Sequence, residues 1–461
     1  MSCFEHDQSR RAFLKRSGAL GLAGVATPFV TSLGAIGEAA AQTASDYKAL
    51  VCVFLYGGND YANTLTPYDT TSYAQYAAAR QNIALNRAAL DATALSPLNS
   101  LGGRQYALAP NLAPLLPIFN AGKLAPILNV GTLVQPTTKA QYQAQSVKLP
   151  PKLFSHNDQQ SYFQASSPEG ATSGWGGRIG DVFQSGNGSA TLTCINASGN
   201  AVYLTGKSAL QYSIGTGGPI ALVNNASTIF GSATTASTLR TLMTTPPANL
   251  MAGEHAKVSK RALDTYTQVT GALAGAPAAN FTLFPTGNNL ADQLKMVARL
   301  ISVSQELGAK RQVFFVSAGG YDLHDNLVAQ HPLLMTTLGN ALKAFYDTTV
   351  ALGVSDRVTT FTGSDFGRTL QSNDDGSDHG WGSMHFVMGG AVKGQRFYGT
   401  PPAVGNGTAD DVGQGRLLPT TSVDQYAATL ASWFGVSNTH LTTVLPNMGN
   451  YNPSTWNLGF V

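Results

Sequence analysis

Three aspartates stand just after glycine-containing turns at the ends of apolar runs. Asp60 closes Tyr56-Gly57-Gly58-Asn59-Asp60, Asp322 lies within Gly319-Gly320-Tyr321-Asp322-Leu323-His324, and Asp365 follows Gly363-Ser364. His324 is two residues beyond Asp322, so in an extended segment both side chains point to one face. The glycine-rich stretch Asp378-His379-Gly380-Trp381-Gly382-Ser383-Met384-His385 adds two histidines shortly after Asp365. Carboxylate oxygens and imidazole nitrogens are the donor set of zinc and, with more oxygens, of manganese, magnesium or calcium. One aspartate at such a turn is most simply a helix N-cap. Three of them, with histidines near two, point instead to a divalent-metal centre whose candidate ligands are Asp60, Asp322, His324, Asp365, His379 and His385. His255, His331 and His440 read as ordinary surface or core histidines.

Positioning these residues requires strands that end together. Ala49–Tyr56 is a continuous apolar, β-branched run, the pattern of a strand buried on both faces in a parallel sheet. Leu124–Val130, Val313–Val316 and Val358–Thr362 have the same character, and three of these four runs deliver one of the aspartates. Helical spacing recurs at 112–120, 254–270, 289–307, 333–350 and 423–434. Strand alternating with helix predicts an α/β fold with a doubly wound, mainly parallel sheet, whose ligands bind beyond the carboxyl ends of the strands. Residues 181–235 differ, with short strand-like runs at 191–195, 201–205 and 220–223 separated by Gly, Asn and Ser, and predict an irregular β-rich insertion or flap. Residues 42–461 are otherwise expected to form one domain.

The 461 residues are 43% hydrophobic and 11% charged, with 49 glycines and a net charge of +3. Clustered Lys/Arg is absent after the N-terminus, which argues against nucleic-acid binding. Ser9-Arg10-Arg11-Ala12-Phe13-Leu14-Lys15 precedes a mildly apolar Gly/Ala-rich run and the small-residue exit Ala39-Ala40-Ala41. This has the layout of a secretory signal, and its arginine pair resembles a twin-arginine export signal. Pro28 and the many glycines disfavour a stable membrane span. Residues 1–41 are therefore expected to be removed on export by the twin-arginine translocase, leaving a periplasmic or secreted chain. Cys52 and Cys194 then remain, and Cys52 reads as a small buried hydrophobe.

The ordered series Tyr56–Asp60, Phe154-Ser155-His156-Asn157-Asp158-Gln159-Gln160, Gly174-Trp175-Gly176-Gly177-Arg178, Gly319–His324, Ser364-Asp365-Phe366-Gly367-Arg368-Thr369 and Asp378–Gly382 resembles a bacterial family. It is the twin-arginine-exported, sulfatase-like group catalogued as domain of unknown function 1501, within the alkaline phosphatase superfamily. The resemblance implies an alkaline-phosphatase/sulfatase-like α/β fold, divalent metals at the strand ends and a hydroxyl nucleophile at a helix start. Ser155 matches the nucleophile position, with Thr132 in reserve, and Arg178 or Arg368 would clamp a phosphate or sulfate oxygen. Phe366 stands where the superfamily places a histidine, which leaves a one-metal or a decayed site open. The expected function is an exported metal-dependent hydrolase of phosphate or sulfate esters, small-molecule or glycan. The alternative is a non-catalytic envelope or secreted binding protein on a degenerate hydrolase fold.

Overall fold

The computed structural model describes residues 46–221 and 228–461, and the signal read at residues 1–41 lies outside them. A nine-stranded sheet runs, in spatial order, β13 (Thr421–Ser422), β4 (Leu124–Gly131), β12 (Ser383–Gly389), β9 (Val358–Ser364), β1 (Lys48–Leu55), β8 (Arg311–Ala318), β5 (Cys194–Asn196), β6 (Gln211–Gly215) and β7 (Gly218–Pro219). β9, β1, β8, β5 and β6 run parallel, as do β13 and β4, while β12 is antiparallel to both β4 and β9 and β7 to β6. Two small ribbons, β2 (Leu65–Pro67) with β3 (Tyr106–Leu108) and β10 (Arg368–Ser372) with β11 (Ser377–His379), stand apart from this sheet.

The longer helices are α1 (Thr70–Arg80), α2 (His156–Ala165), α3 (Trp175–Phe183), α4 (Ala233–Thr244), α5 (Leu250–Ala274), α6 (Asn289–Ser302), α7 (Leu327–Ala351) and α8 (Val423–Phe434). β1 shows why they must lie on both faces. Ala49, Val51, Val53 and Leu55 pack into one apolar cluster with Leu294 and Val297 of α6 and Leu338 and Leu342 of α7. Leu50, Cys52 and Phe54 point the other way, among Trp175 and Ile179 of α3 and Tyr426 and Leu430 of α8. A period-two strand that is apolar at every position buries both faces, and this is the doubly wound, mainly parallel α/β architecture expected from the sequence.

Three local expectations change. The predicted helix at 112–120 divides into a 3₁₀ segment, Pro110–Leu115, and a short α-helix, Leu116–Asn120. Pro114 and Pro117 have no N–H to donate, so one continuous α-helix cannot form there. Within 181–235, Ala201–Thr205 is no strand, since Val202–Leu204 forms a 3₁₀ turn. Nor is the segment a separate flap. β5 pairs parallel with β8 (Cys194 opposite Val313), so β5, β6 and β7 extend the main sheet. The run at 220–223 continues beyond the described residues. No helix among the described residues is long and apolar enough to cross a membrane.

Candidate metal centre

β9, β1 and β8 are adjacent and parallel, so their carboxyl ends open on the same edge of the sheet. The turn leaving β1 touches both neighbours. The Gly57 N–H donates to Asp365 Oδ2 (3.1 Å) beyond β9, and the Tyr56 carbonyl accepts from the Tyr321 N–H (3.1 Å) beyond β8. Gly57 has φ of +116°, and a Cβ there would stand 2.4 Å from the backbone nitrogen of Asp322. Only glycine permits this turn against the segment carrying Asp322.

Three imidazoles and one carboxylate converge above these ends. His156, the first residue of α2, places Nε2 3.0 Å from Nε2 of His379 at the end of β11. His324 Nε2 lies 2.9 Å from the same atom. Asp322 Oδ1 is 3.1 Å from His324 Nε2 and 3.2 Å from His379 Nε2, and its Oδ2 is 3.3 Å from His156 Nε2. His156 and His379 are about three-quarters buried, whereas Asp322 is 43% exposed and opens the cluster to solvent.

Each ring is anchored from behind. His156 Nδ1 meets Asp365 Oδ2 (2.6 Å), His379 Nδ1 meets the Phe154 carbonyl (2.8 Å), and His324 Nδ1 meets Asp378 Oδ1 (3.2 Å). Those oxygens only accept, so each Nδ1 carries the proton and each Nε2 turns a lone pair into the cluster. Phe154 holds its carbonyl with φ of +71°, a left-handed backbone unusual for a bulky residue. Asp365, fully buried, also accepts from Gln160 Nε2 (2.8 Å), while its Oδ1 has no partner among the described residues.

The His156 and His379 lone pairs and the Asp322 carboxylate, set this close, repel one another unless a cation lies between them. A proton can bridge one pair of nitrogens, whereas a divalent ion satisfies His156, His379 and Asp322 together. Donors about 2.0–2.1 Å from a tetrahedral ion lie about 3.3 Å from each other, and closer in higher coordination. The separations of 3.0–3.3 Å among His156, His379 and Asp322 fit such a shell. His–carboxylate and His–carbonyl pairs outside a ligand shell are the usual means of fixing tautomer and orientation. The group His156, Asp322 and His379 can thus hold a metal ion, with His324 beside it.

Burial and the neighbouring charges act differently on each of these groups. The hydrogen bond from Asp365 raises the pKa of His156 above the ordinary histidine value, while burial lowers that of His379. Burial works to raise the pKa of Asp322, but the Arg368 guanidinium bonded to its Oδ1 outweighs it and holds the carboxyl below the usual range. Phe366 packs on both His156 and His379, with ring centroids 4.9 and 4.8 Å away. Phe366 thus forms an apolar wall, and His156 provides an imidazole from α2.

The sequence profile of the family described as "Protein of unknown function (DUF1501)" matches residues 47–445, which include all four of these groups. The chain belongs to this family. Among solved structures, the DUF1501 chain is similar to a crystal structure of Ps i-CgsB in complex with k-i-k-neocarrahexaose (10% identity, TM-score 0.32). It is also similar to a crystal structure of Ps i-CgsB (10% identity, TM-score 0.33), and each comparison covers 89% of this chain and 78% of the other. Comparison with functionally curated proteins gave no match.

Elsewhere in the DUF1501 chain, the remaining candidates occupy other surroundings. Asp60 is buried against Arg80 (2.5 Å), caps the one-turn helix Tyr61–Thr64 and accepts from Ser377 Oγ (3.0 Å). Its carboxylate therefore steadies β11 and is not among the converging donors. His385 is enclosed by Phe163 and Tyr426, and burial pushes its pKa down to about 3. Arg178 donates to the carbonyls of Val444 (2.6 Å), Ser173 (2.8 Å) and Ala165 (3.0 Å), tying α2 to α3. Arg368 directs its terminal nitrogens to Asp322 and to the carbonyls of Gly57 and Ser377. Ser155, at the N-cap of α2, donates to Asp158 Oδ2 (2.9 Å), and Thr132 donates to Gln159 Oε1 (3.0 Å). The ligand position that sequence reasoning left unassigned is His156. Its signal was at hand, in the Phe154–Gln160 motif at a predicted helix start.

Proposed function

We propose that this chain is an exported, metal-dependent hydrolase of phosphate or sulfate esters. The convergence of three Nε2 lone pairs and Asp322, each ring locked through Nδ1, carries the reading. His156, Asp322 and His379 would hold one divalent cation, with His324 beside His379 and Asp322. When bound, such a cation supplies Lewis acidity toward a phosphoryl or sulfuryl oxygen. The protein's own contribution is orientation. Asp365, Asp378 and the Phe154 carbonyl fix the rings, Arg368 fixes the carboxylate, and Phe366 shields the imidazoles on one side. Hydrolysis breaks the P–O or S–O bond with water as the oxygen donor, and the departing alkoxide gains a proton. Ser155, hydrogen-bonded to Asp158 beside His156, is the side-chain nucleophile this arrangement offers. The engagement of Ser155 with Asp158 also supports the second reading, a metal-holding binding protein without turnover. The arginine pair and small-residue exit support export through the twin-arginine translocase to the periplasm or beyond.

The test is elemental analysis of protein purified from its native host together with turnover of aryl phosphates and aryl sulfates. One zinc or manganese per chain, lost together with turnover in His156→Ala and Asp322→Ala, is expected. Stoichiometric metal without turnover would leave the binding protein. A folded chain that takes up no divalent metal would overturn the metal-dependent reading.

A further inference from the structure

The guanidiniums packed around the centre differ in one respect. Arg80 is taken up by Asp60 and the carbonyls of Thr369 and Leu370, and Arg368 by Asp322 and two carbonyls. Arg416 is held on two sides only. Its Nε donates to the backbone carbonyl of His379 (2.8 Å), a residue of the cluster. Its guanidinium lies 4.8 Å from the ring centroid of Phe154, the residue whose carbonyl anchors the His379 ring. Beyond these, Nη1 makes a 3.5 Å contact with the Gly413 carbonyl, at the limit of a hydrogen bond, and Nη2 has no acceptor among the described residues.

The loop that presents Arg416 is built to hold still. Asp411, buried, accepts from the N–H groups of Gly407 (2.6 Å), Gly413 (2.7 Å) and Gly415 (2.8 Å). Its charge therefore organises backbone instead of neutralising Arg416. The carbonyls of Gly415 and Leu417 accept from the N–H groups of Leu370 and Gly382, fastening the loop to β10, which carries Arg368, and to the turn that follows His379. The outcome is a preoriented guanidinium with an open edge, fastened to the backbone of His379 and the ring of Phe154, two residues that build the cluster. A guanidinium fork matches two oxygens of a tetrahedral oxyanion, a pairing that an ammonium cannot reproduce.

We propose that Arg416 is the anion-binding residue of this centre and that it recognises the tetrahedral oxyanion of a phosphoryl or sulfuryl group. The proposal rests on the metal-dependent reading above. Its test is calorimetric titration of inorganic phosphate, and separately of sulfate, into zinc-loaded wild type, Arg416→Gln and Arg416→Lys, with metal content measured on each sample. All three proteins are expected to keep their zinc, with anion affinity falling at least tenfold in Arg416→Gln and by less in Arg416→Lys. The anion that loses more identifies the group the site is shaped for. Binding of both anions within twofold of wild type by zinc-replete Arg416→Gln overturns the proposal and leaves the metal reading standing. So does zinc-replete wild type that binds neither anion. Loss of zinc from both variants overturns it as well, by making Arg416 a support for His379. A wild type that takes up no zinc or manganese overturns both proposals.

Discussion

His156 and His379 face each other with their Nε2 atoms 3.0 Å apart, one ring held from behind by Asp365 and the other by the Phe154 carbonyl. The two anchors differ chemically, because one is an ionisable side chain and the other is fixed backbone. Asp365→Asn should therefore loosen the His156 ring and leave the backbone anchor of His379 in place. Metal affinity measured by competition with a chelator is expected to fall about 10–100-fold, the usual effect of removing a partner outside the ligand shell. His156→Ala should abolish stoichiometric binding. Equal, unchanged affinity in both variants would show that the cluster is not a metal site.

Asp60 and Arg80 make a different kind of prediction. Both are fully buried and each is the other's charge partner, with the Asp60 carboxyl, despite its burial, held below its ordinary pKa by Arg80. Arg80→Met leaves the carboxylate uncompensated and should cost about 3–5 kcal/mol in denaturant unfolding. Folded Asp60→Asn protein should keep its metal, which separates a supporting carboxylate from a ligand.

The acid limb of stability should report on His385 and His331. Burial depresses the folded-state pKa of His385 to about 3 and that of His331 to about 4, against 6.5 in the unfolded chain. Below about pH 6.5 the unfolded chain binds protons that the folded one refuses. The stability present above pH 6.5 is thus lost as pH falls toward 3, with a slope approaching about 1.4 kcal/mol per pH unit for each histidine. His385→Phe fits the aromatic surroundings and gives up only a 3.5 Å contact with Thr362. Its unfolding free energy, followed from pH 7 to pH 4, should fall less steeply than that of wild type.

Gly57 and Gly102 both have positive φ, but only Gly57 is crowded, since nothing lies within 4 Å of a Cβ at Gly102. Gly102→Ala should cost about 1 kcal/mol of backbone strain alone. Gly57→Ala adds a clash with the Asp322 backbone, so a larger loss of stability and weaker metal binding are both expected. Matched behaviour of the two variants in thermal melts and chelator competition would refute the contact argument.

The strand ends were legible in the sequence because an uninterrupted apolar run can only be a strand buried on both sides, and glycine marks its exit. Asp322, His324 and Asp365 emerge at such exits and His379 on the glycine-rich stretch after them, but Asp365, expected as a ligand, stands behind His156 as its anchor. Asp60 shared the same pattern yet faces Arg80, since a strand end specifies where a carboxylate emerges and not which partner reaches it across 20 residues of chain. His385 lies within β12, where alternation points it into the core between aromatic rings. His156 escaped assignment because its neighbour, a serine at a helix start, drew the chemical interpretation. That the short strands β5 to β7 join the main sheet was not legible, because the pairing of β5 with β8 links Cys194 to Val313, far away in the chain.

The converging groups also have a bearing on how the chain reaches its native state. His156 and His379 are separated by 223 residues, and His324 and His379 by 55. No stretch shorter than 156–379 carries the complete set, so ion capture is a late event that reports on the assembled sheet. A cation bound there would act as a cross-link between the start of α2, the exit of β8 and the end of β11. Its binding free energy would add to the unfolding free energy of the whole domain in proportion to the logarithm of free metal. The melting temperature of the chain should then rise steadily with metal concentration, making the ion as much a fastener as a reagent.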